Sequence, residues 1–323
     1  MKTKHIPIFM ASDDNYLPYL IVAIKSISLH SSSEYVYDVR ILNRGLSKIN
    51  VRKIRHLKFD NISVTLVDID RVVSAFGDEL RLRLCDYHSE AIFYRMFIAA
   101  MYPRLTRAIY IDSDVVLVDD IAKLYFSDIG DSVLGAVADE SIYAAPELCE
   151  YVREWVGVPE GKYIDSGVLL MNLTAFRKHR IAEKFKKLIF SYNFDTVAPD
   201  RDYLNFLCRG KIHYIDAGWN KQPKDESLHP IDEQHLIHYN RHNKPWHYRG
   251  VPYGEVFWDV ARLTPYYCDI LKSFVEYSDE DRRMDREGGD RLVRRAAELS
   301  KSVGGFIDTL GDNFLIPGAD PLA

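Results

Sequence analysis

Residues 108–117 read Ala-Ile-Tyr-Ile-Asp-Ser-Asp-Val-Val-Leu, an apolar run interrupted by two carboxylates, Asp112 and Asp114. Ala108 to Ile111 reads as a short β-strand that runs into the acidic pair. Side chains two apart on an extended segment face the same side, so both carboxylates stand together where the strand ends. That is a natural half-site for a hard divalent cation. In open α/β sheets ligands sit outside the carboxyl ends of strands, which is where this pair falls. Alone, the pattern is a weak signal that also fits exposed turn carboxylates, so its meaning rests on the rest of the chain.

Outward from this stretch, β-rich apolar runs alternate with helical patterns, the signature of βαβ units and a mostly parallel sheet. Ile6–Ala11, Tyr35–Leu42, Ser63–Ile69, Val133–Ala138, Gly167–Leu173 and His213–Asp216 read as further strands. Leu17–Leu29, Ser47–Leu57, Ala182–Tyr192 and Asp202–Leu207 carry helical periodicity. In the first helix Leu20, Ile21, Ala23, Ile24, Ile27 and Leu29 supply the apolar side. An all-α or all-β fold is excluded. From about Ala217 the chain turns to loops dense in Asn, Pro, His and Trp, a composition common in ligand-binding loops. The aromatic residues there, Trp219, Trp246, Tyr248, Tyr253, Phe257 and Trp258, fit the core of a sparsely structured lobe better than a sugar-stacking surface. A charge-rich stretch, Asp279–Glu287, precedes a Gly288-Gly289 break and a helix over Asp290–Val303. That helix fits packing on the body or on a second subunit better than a membrane-surface role.

With 323 residues, 47% hydrophobic, the chain can bury one large core or two modest ones. A net charge of −5 argues against a nucleic-acid partner, because phosphate backbones reward a strongly basic face. The basic start at Met1 is followed by an apolar run broken at Pro7, unlike a signal peptide, and no run approaches the ~20 residues of a membrane span. Cys85, Cys149, Cys208 and Cys268 are scattered singly and read as reduced thiols, which points to the cytoplasm.

A third ligand is available in Ile237-His238-Tyr239-Asn240-Arg241-His242-Asn243-Lys244-Pro245-Trp246. Two carboxylates with one imidazole suit manganese better than calcium or an all-oxygen magnesium site. Lys244 is a point charge suited to a phosphate oxygen. Such a group can neutralise a departing diphosphate while an anomeric carbon passes to an acceptor hydroxyl.

Over Ile6 to Trp246 the sequence resembles the retaining glycosyltransferases of family 8, which include bacterial lipopolysaccharide galactosyl- and glucosyltransferases and glycogenin. Four motifs carry the resemblance in order: Ala11-Ser-Asp-Asp-Asn-Tyr16, Ser89-Glu-Ala-Ile-Phe-Tyr-Arg95, Ile109-Tyr-Ile-Asp-Ser-Asp114, and His238-Tyr through Lys244-Pro-Trp246. It implies a GT-A type α/β fold, a single Rossmann-like mixed sheet flanked by helices, with a catalytic domain over 1–250 and a C-terminal helical extension over 251–323. It implies nucleotide-sugar contacts from Ala11, Asp13, Asn15, Tyr16, Arg95, Asp112, Ser113 and Lys244. The metal would be Mn²⁺, with Mg²⁺ the alternative, on Asp112, Asp114 and His238. Asp165, Asp200 and Arg201 would serve the transferred sugar and the reacting centre. Asp165 and Asp200 equally suit cap or ion-pair roles, Arg95 an ion pair, and Asp13 and Asn15 a helix cap.

The implied activity moves galactose or glucose from a UDP-sugar to a saccharide or glycolipid acceptor in cell-surface polysaccharide synthesis, in the cytoplasm or peripherally at the inner membrane face. Three positions depart from the family pattern. Asp165-Ser166-Gly167 stands where Asn-x-Gly-Val is usual, Asp200-Arg201-Asp202 where many members read Asp-Gln-Asp, and Arg241 where a glycine is common. The missing Gln favours front-face displacement over a protein nucleophile. Two other readings compete: a nucleotide-sugar binder without turnover, and a haloacid dehalogenase-type phosphatase, which shares Asp-x-Asp-x-Val but needs a later Gly-Asp with an acid four or five residues on, a pairing that this chain lacks.

Overall fold

A computed structural model describes residues 4–70, 72, 90–223, 233–314 and 316–318. Ser89 of the second motif and Cys85 lie outside the described residues. The described strands are β1 (Lys4–Ala11), β2 (Tyr35–Asn43), β3 (Ile62–Asp68), β4 (Arg107–Ile111), β5 (Val115–Leu117), β6 (Leu134–Ala138), β7 (Ile164–Asn172), β8 (Ile212–Tyr214) and β9 (Leu236–His238). The helices used below are α1 (Leu17–His30), α2 (Lys48–His56), α3 (Ile181–Ser191), α4 (Pro199–Cys208) and α5 (Asp279–Leu299). All strands but β5 and β9 belong to a seven-stranded mixed sheet. The α/β class expected from the alternating pattern is the one observed.

By their contacts the residues form two compact units, each built from three chain segments. The first comprises Met1–Asp70, Ala108–Asp128 and Asp216–Arg283. Its strands run in the order β3-β2-β1-β4, all parallel. β1 is buried from Ile6 to Ala11, because a parallel strand inside a sheet is covered on both faces and can be apolar throughout. The register Ile8↔Ile109 and Phe9↔Tyr110 sets the carboxyl ends of β1 and β4 side by side. The turn after Ala11 and the acidic pair after Ile111 therefore leave the sheet at one edge. α1 buries Leu17, Leu20, Ile21, Ala23, Ile24 and Ile27, whereas Leu29, expected on its apolar side, is 47% exposed in the last turn.

In the same unit β5 and β9 form a separate antiparallel pair. Val115↔His238 opens the ladder, and the Tyr239 N–H donates to the Asp114 carbonyl at 2.9 Å. The stretch expected to be irregular thus contains a strand, too short to show a period. Trp219, Trp246, Tyr253 and Phe257 are buried, which is the core role expected for them.

The second unit comprises Arg71–Arg107, Ile129–Ile215 and Met284–Ala323. β6 pairs antiparallel with β7 and parallel with β8. The bulged register Ala138↔Ile164 brings Asp139 and Asp165 to one end of this pair. α4 is buried along its whole length, including Asp200, Arg201 and Asp202, so its charged residues must find partners within the protein.

The expected break at Gly288-Gly289 does not occur, since α5 runs unbroken through both glycines. The Ser278 N–H donates to Asp281 Oδ2 at 2.8 Å and the Asp281 N–H to Ser278 Oγ at 3.1 Å, a reciprocal cap. Asp279, Glu280 and Asp281 complement the helix dipole, and Gly288, Ala296 and Leu299 are buried. Two interior glycines cost about 2 kcal/mol relative to alanine, which capping and burial offset. No described helix is long and apolar enough to cross a membrane.

Candidate active site

β4 ends at Ile111, and the next three residues form one wall of a cluster in the first unit. One ligand atom each from Asp112, Asp114 and His238 lies within 4.8 Å of the others. His238 Nε2 is 3.3 Å from Asp114 Oδ1 and 3.8 Å from Asp112 Oδ2. The β5–β9 ladder fixes this approach through the backbone.

Each of the three side chains is turned by a neighbour. The Tyr110 hydroxyl donates to Asp112 Oδ1 at 2.9 Å, leaving Oδ2 toward His238. His238 Nδ1 meets Asn220 Oδ1 at 2.8 Å. That oxygen can only accept, so Nδ1 carries the proton and the Nε2 lone pair points at the carboxylates. A lone pair facing carboxylate oxygens is the arrangement a bound cation resolves, and an outward N–H bonded to an acceptor is the usual support of a metal-ligating histidine. The donor set and its orientation therefore fit a divalent ion.

Lys244 completes the cluster. Its ammonium donates to Asp114 Oδ2 and to the Tyr239 carbonyl, and lies 5.6 Å from the Trp246 ring centroid. Trp246 in turn stacks on Tyr19 of α1 at 4.0 Å, which anchors the loop carrying the lysine. Burial alone would raise the Asp114 carboxyl, but the Lys244 ammonium, joined by His238 when its ring is protonated, outweighs it and holds the group well below the ordinary carboxylate range. Burial likewise opposes charge on Lys244, and Asp114 reverses this and raises it. Lys244 lowers the Tyr16 phenol, yet burial with the Asp114 and Asp112 charges drives it up, so Tyr16 senses the same cluster.

The turn Ala11–Tyr16 closes this edge. The Ser113 hydroxyl donates to the Ala11 carbonyl at 2.6 Å, and Asp13 Oδ1 accepts from the Asn15 and Tyr16 N–H groups, both at 3.0 Å. Asp14 instead accepts from the Ser47 N–H and the Asn50 side-chain amide at the start of α2. The structure thus gathers Ala11, Tyr16, Asp112, Ser113, Asp114, His238 and Lys244, with Asp13 and Asn15 shaping the turn beside them. Arg241 adopts a left-handed φ of 54°, so the backbone turn for which a glycine is common is made here by arginine.

The other expected residues form a second cluster, within the second unit. Arg95 is buried in a 3₁₀ helix over Glu90–Phe97, donates to the Ile92 and Ser166 carbonyls, and lies 3.4 Å from Asp200 Oδ2. Asp200 also accepts from the Ser166 hydroxyl at 2.7 Å. Arg201 pairs with Asp139 and with Asp165, the latter at 2.6 Å. Asp202 accepts from the Tyr151 and Tyr163 hydroxyls and the Ala198 N–H, and burial, partly offset by these donors, pushes it up to about 6. Tyr110, Asn220 and Asp139 escaped sequence reasoning. Asp139 carried a usable signal, since like Asp112 it directly follows a strand. Asn220 carried none, being joined to His238 only through folding.

The chain is similar to known proteins along most of its length. The description "Glycosyl transferase family 8" matches residues 7–250. A putative glycosyltransferase of Haemophilus influenzae is 27% identical over 253 residues, 74% of this chain and 72% of its own. The lipopolysaccharide 1,2-glucosyltransferase of Escherichia coli is 27% identical over 288 residues, covering 82% of this chain and 81% of that enzyme. The galactosyltransferase LgtC, solved with donor and acceptor sugar analogues, superposes with a TM-score of 0.64 at 25% identity over 80% of this chain and 96% of its own. The bifunctional glycosyltransferase WbbM gives 0.69 at 20% identity over 84% of this chain, which spans about half of it (52%). The fold is that of GT-A glycosyltransferases, and the chain belongs to glycosyl transferase family 8. It is a glycosyltransferase, and the phosphatase and non-catalytic readings find no support in these likenesses.

Proposed function

We propose that this glycosyltransferase moves a hexose, galactose or glucose, from a UDP-sugar to a saccharide or glycolipid hydroxyl with retention of configuration, in a metal-dependent reaction. The observation that carries the metal assignment is the Asp112–Asp114–His238 group within 4.8 Å, with His238 Nδ1 committed to Asn220. Two carboxylates and an imidazole favour Mn²⁺, with Mg²⁺ the alternative. When bound, the ion supplies positive charge to the leaving diphosphate. Lys244, poised on Asp114, would add a second positive charge there. Ala11, Asp13, Asn15, Tyr16, Ser113 and Arg95 are assigned to the nucleotide-sugar by their motifs, and Asp165, Asp200 and Arg201 to the transferred sugar.

The ion pairs of Asp165 and Asp200 support front-face displacement, since each carboxylate is engaged by an arginine and is a poor nucleophile. The proposed catalytic domain is 1–250, with 251–323 as a helical extension. The names of the relatives support cell-surface saccharide synthesis as the setting, and we place the protein in the cytoplasm, with peripheral membrane contact where the acceptor is a glycolipid.

The test is a screen of UDP-sugars for Mn²⁺-dependent release of UDP, then a panel of saccharide acceptors. Asp114→Ala and His238→Ala should each lose at least about 100-fold in turnover with the fold retained by circular dichroism. Full turnover in either variant removes the metal assignment. UDP binding with no release from any donor would instead favour a binder.

A further inference from the structure

One guanidinium in the second unit serves two carboxylates. Arg201 of α4 sends Nη1 to Asp139 Oδ2 and Nη2 to Asp165 Oδ2, and side-chain exposure is 9% for the arginine, 0% for Asp139 and 1% for Asp165. The arrangement is symmetrical. Asp139 Oδ1 accepts from the Ser141 N–H at 2.9 Å and Asp165 Oδ1 from the Gly167 N–H at 2.7 Å, so each acid is held at one oxygen by its own turn and presents the other to Arg201. The β6–β7 register places the two acids at one end of the strand pair.

Two ionised carboxylates side by side in a dry interior cannot both keep their charge without a cation, and one of them would take up a proton. Arg201 is that cation. The acid at 165 and the arginine at 201, which separately depart from the family pattern of Asn and Gln, are in contact and so form one exchange of an uncharged pair for a charged one.

Resting on the glycosyl-transfer reading above, we propose that Arg201 is a positioning residue that keeps Asp165 ionised and its carboxylate fixed in place, and that residues 165 and 201 work only as a matched pair. The test uses four proteins: wild type, Asp165→Asn, Arg201→Gln and the double variant. UDP release is followed from pH 5 to 9 and thermal midpoints are measured in the same buffers. Arg201→Gln should lose about 100-fold in kcat near neutral pH with donor KM changed less than about threefold, and should recover activity as pH rises and the freed acids ionise. Adding Asp165→Asn should restore no activity at any pH, because the carboxylate itself is gone, but should recover stability, because the like charge that Arg201 neutralised is gone with it. The double variant's midpoint should lie more than about 3 °C above the sum of the single shifts.

A loss confined to KM, a flat pH profile, or a double variant more active than Arg201→Gln would overturn the positioning role. Additive midpoints would overturn the pairing whatever the activity. If the wild type itself releases no UDP, the glycosyl-transfer reading and the positioning role fail with it, while the midpoints still decide the pairing.

Discussion

Asn220→Ala isolates the part of the metal site that no ligand list contains. Asn220 is 4% exposed and its oxygen accepts from His238 Nδ1 at 2.8 Å, while His238 is 2% exposed. Truncation leaves a buried N–H without its acceptor, a cost of about 1–3 kcal/mol. A neutral imidazole escapes that cost by moving its proton to Nε2, where Asp114 Oδ1 at 3.3 Å can accept it. The proton then occupies the lone pair that the metal requires. Mn²⁺ affinity should fall about 10- to 100-fold, or about 1.4–2.7 kcal/mol, with both carboxylates untouched. Asn220→Asp keeps an acceptor at the same place and should bind Mn²⁺ within about threefold of wild type, because carboxylate–histidine–metal relays are a common alternative support. Titration calorimetry with Mn²⁺ alone reads both variants without any sugar donor. Wild-type affinity in Asn220→Ala, or equal losses in the alanine and aspartate variants, would refute the tautomer argument.

Gly218 lies in the turn that presents Asn220, and a Cβ there would meet the Glu233 carbonyl oxygen at 2.8 Å; Gly218→Ala should therefore weaken Mn²⁺ binding by about tenfold, measurable by the same calorimetry. Asp202 has a folded value near 6 against an ordinary 3.8, so its contribution to stability is complete below about pH 4 and lost as pH rises through 6. Relative to Asp202→Asn, the wild type should gain about 3 kcal/mol between pH 7 and pH 4 in denaturant unfolding, and parallel curves would contradict the raised value. Arg241→Gly should leave Mn²⁺ affinity within about twofold, since glycine accepts the left-handed φ of 54°, whereas the β-branched Arg241→Val should cost about 1–2 kcal/mol in thermal unfolding.

What was legible in the sequence was whatever a local period or a local punctuation mark encodes. β1, α1, β2 and α2 were found within a residue or two because β1 is an apolar run, β2 alternates buried and partly exposed positions along most of its length, and the helices between carry apolar residues at helical spacing. Three-residue strands such as β9 have no period to show, and their existence depends on a partner far along the chain. Gly288-Gly289 misled for the opposite reason. A local helix penalty was overridden by a capping pair at Ser278 and Asp281 and by burial of the helix face.

The same division runs through the site. Asp112 and Asp114 were readable because period two and a strand end are local properties. His238 and Lys244 were candidates by residue type and gained their places from the resemblance, and they meet Asp114 because β5 and β9 are in register. The departures at 165 and 201 show the limit of reading positions singly. Each looks like a lost function when set against a family pattern. In the fold the two side chains lie 2.6 Å apart, and Asp139, which no motif marked, shares the arginine. A charge introduced into a buried cluster is tolerable only where an opposite charge already stands or arrives with it, since an unpaired one costs several kcal/mol. Sequence departures that converge in space should therefore be weighed as one change in the charge of the site.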